Sequence, residues 1–269
     1  MIGHFFADAP LLVAGVVLFI AMVLARELGA HATKVAARRH AEKSDTNGDA
    51  NVLLSVALGL LSLLIGFSFS LSLGRFDHRR ELVVSEASAL STAVQRIQLL
   101  DSPARDALTS QLRNYAKARA LAGTTDVDEQ RRRLEQKAEE LSVPLVQATI
   151  AAVTPIRATS TASFVLDGVD HAVELADQRS AAAEAKLPVR IVEALAIYCV
   201  VVAGLFGYTL PTTSSRNRVA SYLVFSLFAF AVATILDLDR PVGGSITIGQ
   251  QPIIAVLQKL APQPLGPAQ

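Results

Sequence analysis

The chain has little of what several common classes of function require. Its single cysteine, Cys199, lies in an apolar run, which excludes an intrachain disulfide and a cysteine-based zinc site. We expect Cys199 to be a small buried apolar residue. Lysine and arginine number 25 against 24 aspartate and glutamate residues, so no overall positive charge indicates a nucleic-acid partner.

Motifs of common catalytic and nucleotide-binding sites are also missing from the sequence. There is no HExxH, GxSxG, P-loop or GxGxxG pattern. The histidines do not form a pair with metal-ligand spacing; they are His4, His31, His40, His78 and His171. We therefore predict that the protein is not an enzyme.

The composition is instead strongly apolar. Hydrophobic residues make up 51% of the chain and charged residues 18%, a balance typical of a protein with membrane and aqueous parts. Residues 1–9 contain no lysine or arginine, so we expect the first apolar segment to remain as a membrane helix and not to be a cleaved signal. No useful alternating strand pattern occurs, and we predict an all-α polytopic membrane protein.

Four segments reach or approach the roughly 17–25 apolar residues that a spanning helix needs. They are residues 9–25, 50–74, 194–215 and 219–236. Essentially no ionisable residue lies within them, which argues against an intramembrane protease and against a proton-coupled transporter. Basic residues divide evenly between the two sides, so the orientation in the membrane stays open.

These spans predict four divisions of the chain. Residues 1–74 hold transmembrane helices 1 and 2, and residues 75–190 form a helical extramembrane domain. Residues 191–236 hold transmembrane helices 3 and 4, and residues 237–269 form a turn-rich segment with a mobile tail. Because no proline interrupts residues 50–100, we predict one long helix that crosses the bilayer and continues into water.

Further helices are predicted in the extramembrane domain. Ser102 and Pro103 open one, which ends near Gly123. A seven-residue period predicts another, which Pro144 kinks or divides, and its apolar positions are Val127, Leu134, Leu141 and Ala148, with Ala138 and Leu145 beside them. A last helix is predicted to carry one face in which His171 is a core or seam residue, made of Phe164, Gly168, His171 and Leu175.

Small residues follow one face of the second span. Such a face either lets another helix approach closely or lines a pore in an oligomer, with serine hydroxyls and a ring of Arg75 attracting anions. Phe67 and Phe69 would narrow this pore or lie in lipid. The candidate pore-lining residues are Ser55, Gly59, Ser62, Gly66, Phe67, Phe69, Ser70, Gly74 and Arg75, and Ser68 is a further hydroxyl.

A charged collar follows the second span and has a counterpart after the fourth. We predict ion pairs between Arg75 or Arg79 and Asp237 or Asp239, which form a structural clasp or a gate. The collar candidates are Arg75, Asp77, His78, Arg79, Arg80, Glu86, Asp237, Asp239 and Arg240. No cofactor is otherwise expected, but the oxygens of Asp237 and Asp239 are of the kind that calcium prefers, so they are also a candidate metal site.

Several of these fragments occur together in one known family. They are Arg75-x-Asp77-x-Arg79-Arg80, Glu86-Ala87-x-Ala89-Leu90, Leu187-Pro188 and Leu236-Asp237-x-Asp239-Arg240-Pro241-x-x-Gly244. Together they resemble the bestrophin-like domain family, four-helix membrane proteins related to bestrophin anion channels. The second span carries no bestrophin neck motif, and no acidic cluster resembles that family's calcium clasp.

The resemblance implies a function and partners. It implies an oligomeric, passive, chloride-type anion channel, a pentamer by analogy, whose second membrane helix lines the pore. The partners would be the lipid bilayer, other copies of the chain and small anions, in a bacterial inner membrane. The alternative is a non-conducting membrane scaffold that binds a partner through the heptad positions of its helical domain.

Overall fold

The computed structural model describes residues 10–39, 46–125, 127–210, 215–241 and 243–260. Over these ranges the chain is helical and forms no strand. A 3-10 turn at Thr154–Ile156 separates the fourth helix from the fifth. The helices are α1 (Leu11–Arg39), α2 (Thr46–Ile97), α3 (Ala104–Thr124), α4 (Asp128–Val153), α5 (Ser160–Glu184), α6 (Val189–Thr209), α7 (Ser215–Asp239) and α8 (Gln251–Lys259). The all-α prediction is confirmed.

The chain divides into two compact units. The first comprises Met1–Arg75 and Lys186–Arg240, and the second comprises Phe76–Ala185 and Pro241–Gln269. Within the described residues, four helical stretches are long and apolar enough to cross a membrane. We call the unit of Met1–Arg75 and Lys186–Arg240 the membrane unit, because it holds α1, the apolar half of α2, α6 and α7. We call the other unit the helical unit.

The helix bounds differ from the predicted spans at the ends, where charged residues or turn residues were taken as boundaries. The helix α2 is continuous over 52 residues, as predicted. The helix α1 runs to Arg39, beyond the predicted span that ends at residue 25, and therefore includes Arg26 and Glu27. The third helix ends at Thr209, earlier than the predicted residue 215, and the fourth begins at Ser215.

Close contact between α1 and α6 organises the membrane unit. A Cβ at Gly207 would overlap the Arg26 carbonyl oxygen, and a Cβ at Gly29 would overlap that of Gly204. Only glycine allows the two backbones to approach this closely. Cys199 is fully buried in the same core, as predicted. Its largest buried apolar neighbours in this core are Leu18, Met22, Leu61, Leu195 and Phe225.

In the helical unit, small residues of α5 form the packed face. His171 is 58% exposed, and Phe164 is 54% exposed, so the predicted stripe is wrong at these two residues. Its other two members, Gly168 and Leu175, do lie against the core. The Arg96 guanidinium lies over the Phe164 ring and binds Asp167, which holds this ring on the surface. The buried face consists of Ala162, Val165, Gly168, Val169, Ala172 and Ala176.

The helix α4 runs through Pro144 without interruption, so the predicted division of this helix does not occur. Ala138 and Leu145 are buried in the core, whereas Val127 is 57% exposed. Apolar residues of α8, including Ile253 and Val256, pack against the same core. The predicted mobile tail, residues 261–269, lies outside the described residues.

Candidate functional site

The small-residue face of α2 is open in the single chain. No described atom lies within 4 Å of a Cβ placed at Gly59, Gly66 or Gly74. Thus no described helix of this chain packs against these glycines. Every predicted pore residue other than Arg75, which is half-buried, is exposed: Ser55, Gly59, Ser62, Gly66, Phe67, Phe69, Ser70 and Gly74. We call the small residues among these eight, without the two phenylalanines, the open face.

The opposite side of α2 is buried in the membrane unit. Leu54 and Leu61 belong to its hydrophobic core. Ser68 is 1% exposed and lies on this buried side, so the structure does not place its hydroxyl with the other candidate pore residues. Within the described residues, the hydroxyls of Ser68 and Ser72 have no hydrogen-bond partner.

The collar residues have different environments. Asp77, His78 and Arg80 are exposed, whereas Arg79 is buried in the helical unit. The sequence interpretation grouped these residues by their spacing alone. The predicted ion pairs of the collar stay a prediction.

In the membrane unit, Asp239 has a defined structural role. It lies at the end of α7 and is 8% exposed. Its two carboxylate oxygens lie 3.0 and 2.8 Å from the backbone nitrogen of Leu187, whose N–H they accept. Leu187 lies just before α6, so this carboxylate fixes the start of the third membrane helix. Asp237 is buried near it, and Arg240 is half-buried.

The residues present do not fit a calcium site well. Calcium takes six to eight oxygen ligands. The residues that the structure describes contain no group of three or more His, Cys, Asp or Glu side chains that could hold a metal ion. The Asp239 carboxylate already accepts the N–H of Leu187. We therefore derive no role for calcium.

Glu86 was a collar candidate, but it lies in a buried ion cluster of the helical unit. It is 0% exposed. Its Oε1 accepts the Nε–H of Arg119 at 2.7 Å, and its Oε2 accepts a hydrogen bond from Nη1 of Arg179. Arg119 also donates to the Ser180 hydroxyl at 3.0 Å and to the Ala176 carbonyl at 2.9 Å. These bonds join α2, α3 and α5.

Two guanidinium groups share the single carboxylate of this buried ion cluster, defined as Glu86, Arg119 and Arg179. Burial lowers the pKa of Arg119, but the adjacent Glu86 more than compensates, so this pKa lies above its usual value. Burial lowers the pKa of Arg179, and the Arg119 charge adds to this effect against the opposing attraction of Glu86. Burial also raises the pKa of the neighbouring Tyr115.

The cluster borders a cavity of about 80 Å³ within the helical unit. Arg131, paired with Glu135 at 2.9 Å, forms another part of its wall. Gly123 and Gln250 complete the side near Arg179. Sequence reasoning missed Arg119, Arg179 and Gln250, because they lie far from Glu86 in the chain. An arginine on a mostly apolar helix face was the only signal for Arg119.

The membrane unit contains an ion pair that was also missed. Arg26 is 0% exposed, and its Nη1 lies 2.6 Å from Glu27 Oε1. The Tyr222 hydroxyl donates to the same carboxylate at 3.3 Å. In the described part of the chain, Nε and Nη2 of Arg26 have no hydrogen-bond partner. Arg26 and Glu27 directly follow the predicted first span, so a buried ionisable pair lies beside it on α1. The prediction that the four spans themselves lack ionisable residues stays a prediction.

Together, the fold and these sites define a helical membrane protein with four candidate spans and a helical unit that continues from the second span. The chain belongs to the Bestrophin-like domain family, whose model matches residues 17–253. The resemblance found in the sequence is confirmed.

Solved structures show the same fold. The crystal structure of a bacterial bestrophin homologue from Klebsiella pneumoniae aligns with a TM-score of 0.67 at 14% identity, covering 91% of this chain and 96% of that chain. A tryptophan-to-alanine variant of that homologue aligns with a TM-score of 0.68 at 15% identity, covering 94% and 96% of the two chains. Among curated proteins, none matches the chain significantly.

Proposed function

We propose that this protein forms a homo-oligomer that conducts small anions passively through a pore lined by the open face of α2. The observation that carries the proposal is this face. It lies on an apolar helix, but Gly59, Gly66 and Gly74 contact no described helix of their own chain. Small residues in lipid allow close approach of another surface, and a second copy of the chain supplies one.

The residues of the open face are small and uncharged, which suits a pore that ions cross without binding tightly. Ser62 and Ser70 offer hydroxyl donors, and the glycines leave room for a permeating ion. Arg75 follows Gly74 at the end of the apolar run, where a ring of guanidinium groups favours anions over cations. Membership of the Bestrophin-like domain family supports a channel and a pentamer, and we place this pentamer in a bacterial inner membrane.

The alternative scaffold function has less support. Its binding surface was the heptad of α4, but Leu141 and Ala148 pack against the core of the helical unit. Of the predicted seam, Val127 remains largely exposed. We also keep as a proposal that the protein is not an enzyme, since its family and its uncharged open face favour passive conduction.

The test is ion flux through purified protein in liposomes. We expect chloride efflux from vesicles that contain the protein, and we expect Arg75→Glu to lower chloride permeability relative to sodium at least several-fold. Arg132→Glu, an equal charge change on the exposed surface of α4, is the matched control and leaves selectivity unchanged.

Three results would contradict the proposal in separable ways. No flux from folded, oligomeric protein would exclude conduction. A monomer in lipid nanodiscs, measured by mass photometry, would exclude a shared pore. Sodium flux in place of chloride flux would retain the pore and overturn its anion preference.

A further inference from the structure

The cavity beside the buried ion cluster has the charge of an anion site. Its wall includes Arg119 and Arg179, whose shared carboxylate is Glu86, and also the ion pair of Arg131 with Glu135. Buried Arg79, which has a further interaction of its own, lines the same cavity, so these six side chains comprise four guanidinium groups and two carboxylates. Arginine thus outnumbers acid in the wall. A buried excess charge is costly unless a counter-charge accompanies it.

Arg179 has donors available for that counter-charge. Its described hydrogen bonds run from Nη1 to Glu86 and from Nη2 to the Arg119 carbonyl, the latter at 3.5 Å. A guanidinium carries five N–H groups, so about three remain for a ligand. Glu86 holds this guanidinium in place, and a planar donor group fixed in this way suits an oxyanion with several acceptor oxygens.

Whereas Arg179 needs a ligand with hydrogen-bond acceptors, Gln250 needs a ligand that donates a hydrogen bond. This residue is 7% exposed and lines the cavity. Its Nε2 donates to the Ile248 carbonyl at 3.1 Å, whereas its Oε1 is buried with no described hydrogen-bond partner. An unsatisfied buried acceptor costs about 1–3 kcal/mol. A ligand that donates a proton to Oε1 would remove this cost.

Close packing fixes the position of Gln250. A Cβ at Gly123 would overlap the side-chain amide of Gln250 and would lie 2.8 Å from Nη2 of Arg179. The glycine therefore allows the amide and the guanidinium to meet at one end of the cavity. The volume of about 80 Å³ exceeds what one water needs and is well below the roughly 300 Å³ of pockets for larger molecules.

We propose that this cavity binds a small oxyanion that carries a hydroxyl group, with hydrogenphosphate as its best probe. The oxyanion oxygens accept hydrogen bonds from Arg179, and its hydroxyl donates to Oε1 of Gln250. Chloride and sulfate satisfy the positive charge but offer no proton to Gln250. All residues that line the site belong to the helical unit.

Calorimetric titration of the purified full chain in detergent tests this site, at pH 7 in a buffer free of phosphate and sulfate. Sulfate has the size and shape of phosphate but no hydroxyl, so we expect phosphate to bind at least tenfold more tightly. Dimethyl phosphate represents a lipid phosphodiester headgroup and also lacks the hydroxyl. It is expected to bind no better than sulfate.

Two substitutions of Gln250 separate the charge from the hydroxyl requirement. Gln250→Met keeps the volume and removes the acceptor, so phosphate affinity falls to the level of sulfate while sulfate affinity stays unchanged. Gln250→Glu places a carboxylate beside Arg179 and abolishes binding of both anions. Gln178→Glu, the same change on an exposed position of α5, is the control and leaves both affinities unchanged.

Absence of phosphate binding by the folded wild-type protein would overturn the site. Equal affinity for phosphate and sulfate, or a phosphate preference retained in Gln250→Met, would overturn the role of Gln250. Tight binding of dimethyl phosphate would overturn the free anion as the ligand and would indicate a lipid phosphodiester headgroup in its place. Binding is measured without ion flux, so these results are independent of whether the protein conducts.

Discussion

Glu86 in the helical unit and Arg26 in the membrane unit are both fully buried charges, but their surroundings differ. Both oxygens of Glu86 accept hydrogen bonds from arginines on other helices. Arg26 uses one terminal nitrogen for its sequence neighbour Glu27, and its Nε and Nη2 have no partner within the described residues. The first charge therefore joins helices through hydrogen bonds, whereas the second reaches α7 through the ring of Tyr222, whose centroid lies 5.7 Å from its guanidinium carbon.

The two units also close their helix contacts by different means. The helical unit joins α2, α3 and α5 through ions and hydrogen bonds. The membrane unit joins α1 and α6 through glycines and leaves the glycines of α2 open. A buried charge can either join helices or be left partly unsatisfied, and a glycine can either allow a close helix contact or stay open. The contacts of each residue determine whether it stabilises the chain or remains available for another function.

The largest expected effect is that of Glu86→Gln. Removing this carboxylate leaves two buried guanidinium groups without their counter-charge, which costs about 3–5 kcal/mol of unfolding free energy. The measurement is denaturant unfolding in detergent, followed by circular dichroism. Glu129→Gln removes only exposed ion pairs with Arg132 and Arg133 and is expected to cost less than about 1 kcal/mol. Equal losses for both variants would contradict the role of the cluster.

Gly207→Ala tests the glycine contact and is expected to be the next largest effect. The added methyl group overlaps the Arg26 carbonyl, so α1 and α6 must separate at a cost of about 1–3 kcal/mol. The thermal midpoint in detergent reports this loss. Gly59→Ala, on the open face, is the control and should leave the midpoint unchanged or slightly raised. A lower midpoint for Gly59→Ala than for Gly207→Ala would reverse the assignment of open and closed faces.

Arg26→Met addresses the buried charge whose Nε and Nη2 have no hydrogen-bond partner within the described residues. A methionine fills similar space without an unsatisfied guanidinium, so we expect the variant to be neutral or more stable by up to about 2 kcal/mol. Denaturant unfolding under the conditions used for Glu86→Gln allows a direct comparison. A loss as large as that of Glu86→Gln would show that Arg26 also joins helices.

The smallest effect on stability is expected for Gly66→Leu. No described atom lies near this position, so the substitution should not destabilise the single chain, and the helix propensity of leucine raises its stability by at most about 1 kcal/mol. Under the proposed function, chloride flux or assembly is nevertheless lost. Leu63→Ala, an exposed change outside the open face, should alter neither. Unchanged flux and assembly in Gly66→Leu would remove the open face from the pore.

The helices could be predicted well because the residues that start, continue and end a helix lie within the helix or next to it. The uncharged run and the absence of proline were sufficient to predict α2, and Gly123 lies at the predicted end of α3. The predicted first span stops before Arg26 because a charge was taken as its boundary, although α1 continues past this residue and buries it. The face of α5 was misassigned because its core side chains are small, and because Arg96 holds Phe164 on the surface.

The sites depend on contacts that no local pattern contains. Glu86 is 33 residues from Arg119 and 93 residues from Arg179, so only the folded helices bring them together. The meeting of Gly207 with Arg26 likewise has no signal in either segment alone. By contrast, the small-residue face of α2 could be read directly, because a single helix determines it.

The continuity of α2 has an experimental consequence. Gly66 and Glu86 lie 20 positions apart on one uninterrupted helix, which corresponds to about 30 Å along its axis. Because one hydrogen-bonded helix carries both residues, the proposed pore face and the buried carboxylate belong to the same secondary-structure element. Under the proposed function, the flux of a Glu86 variant would test whether a change at one end of α2 alters conduction at the other.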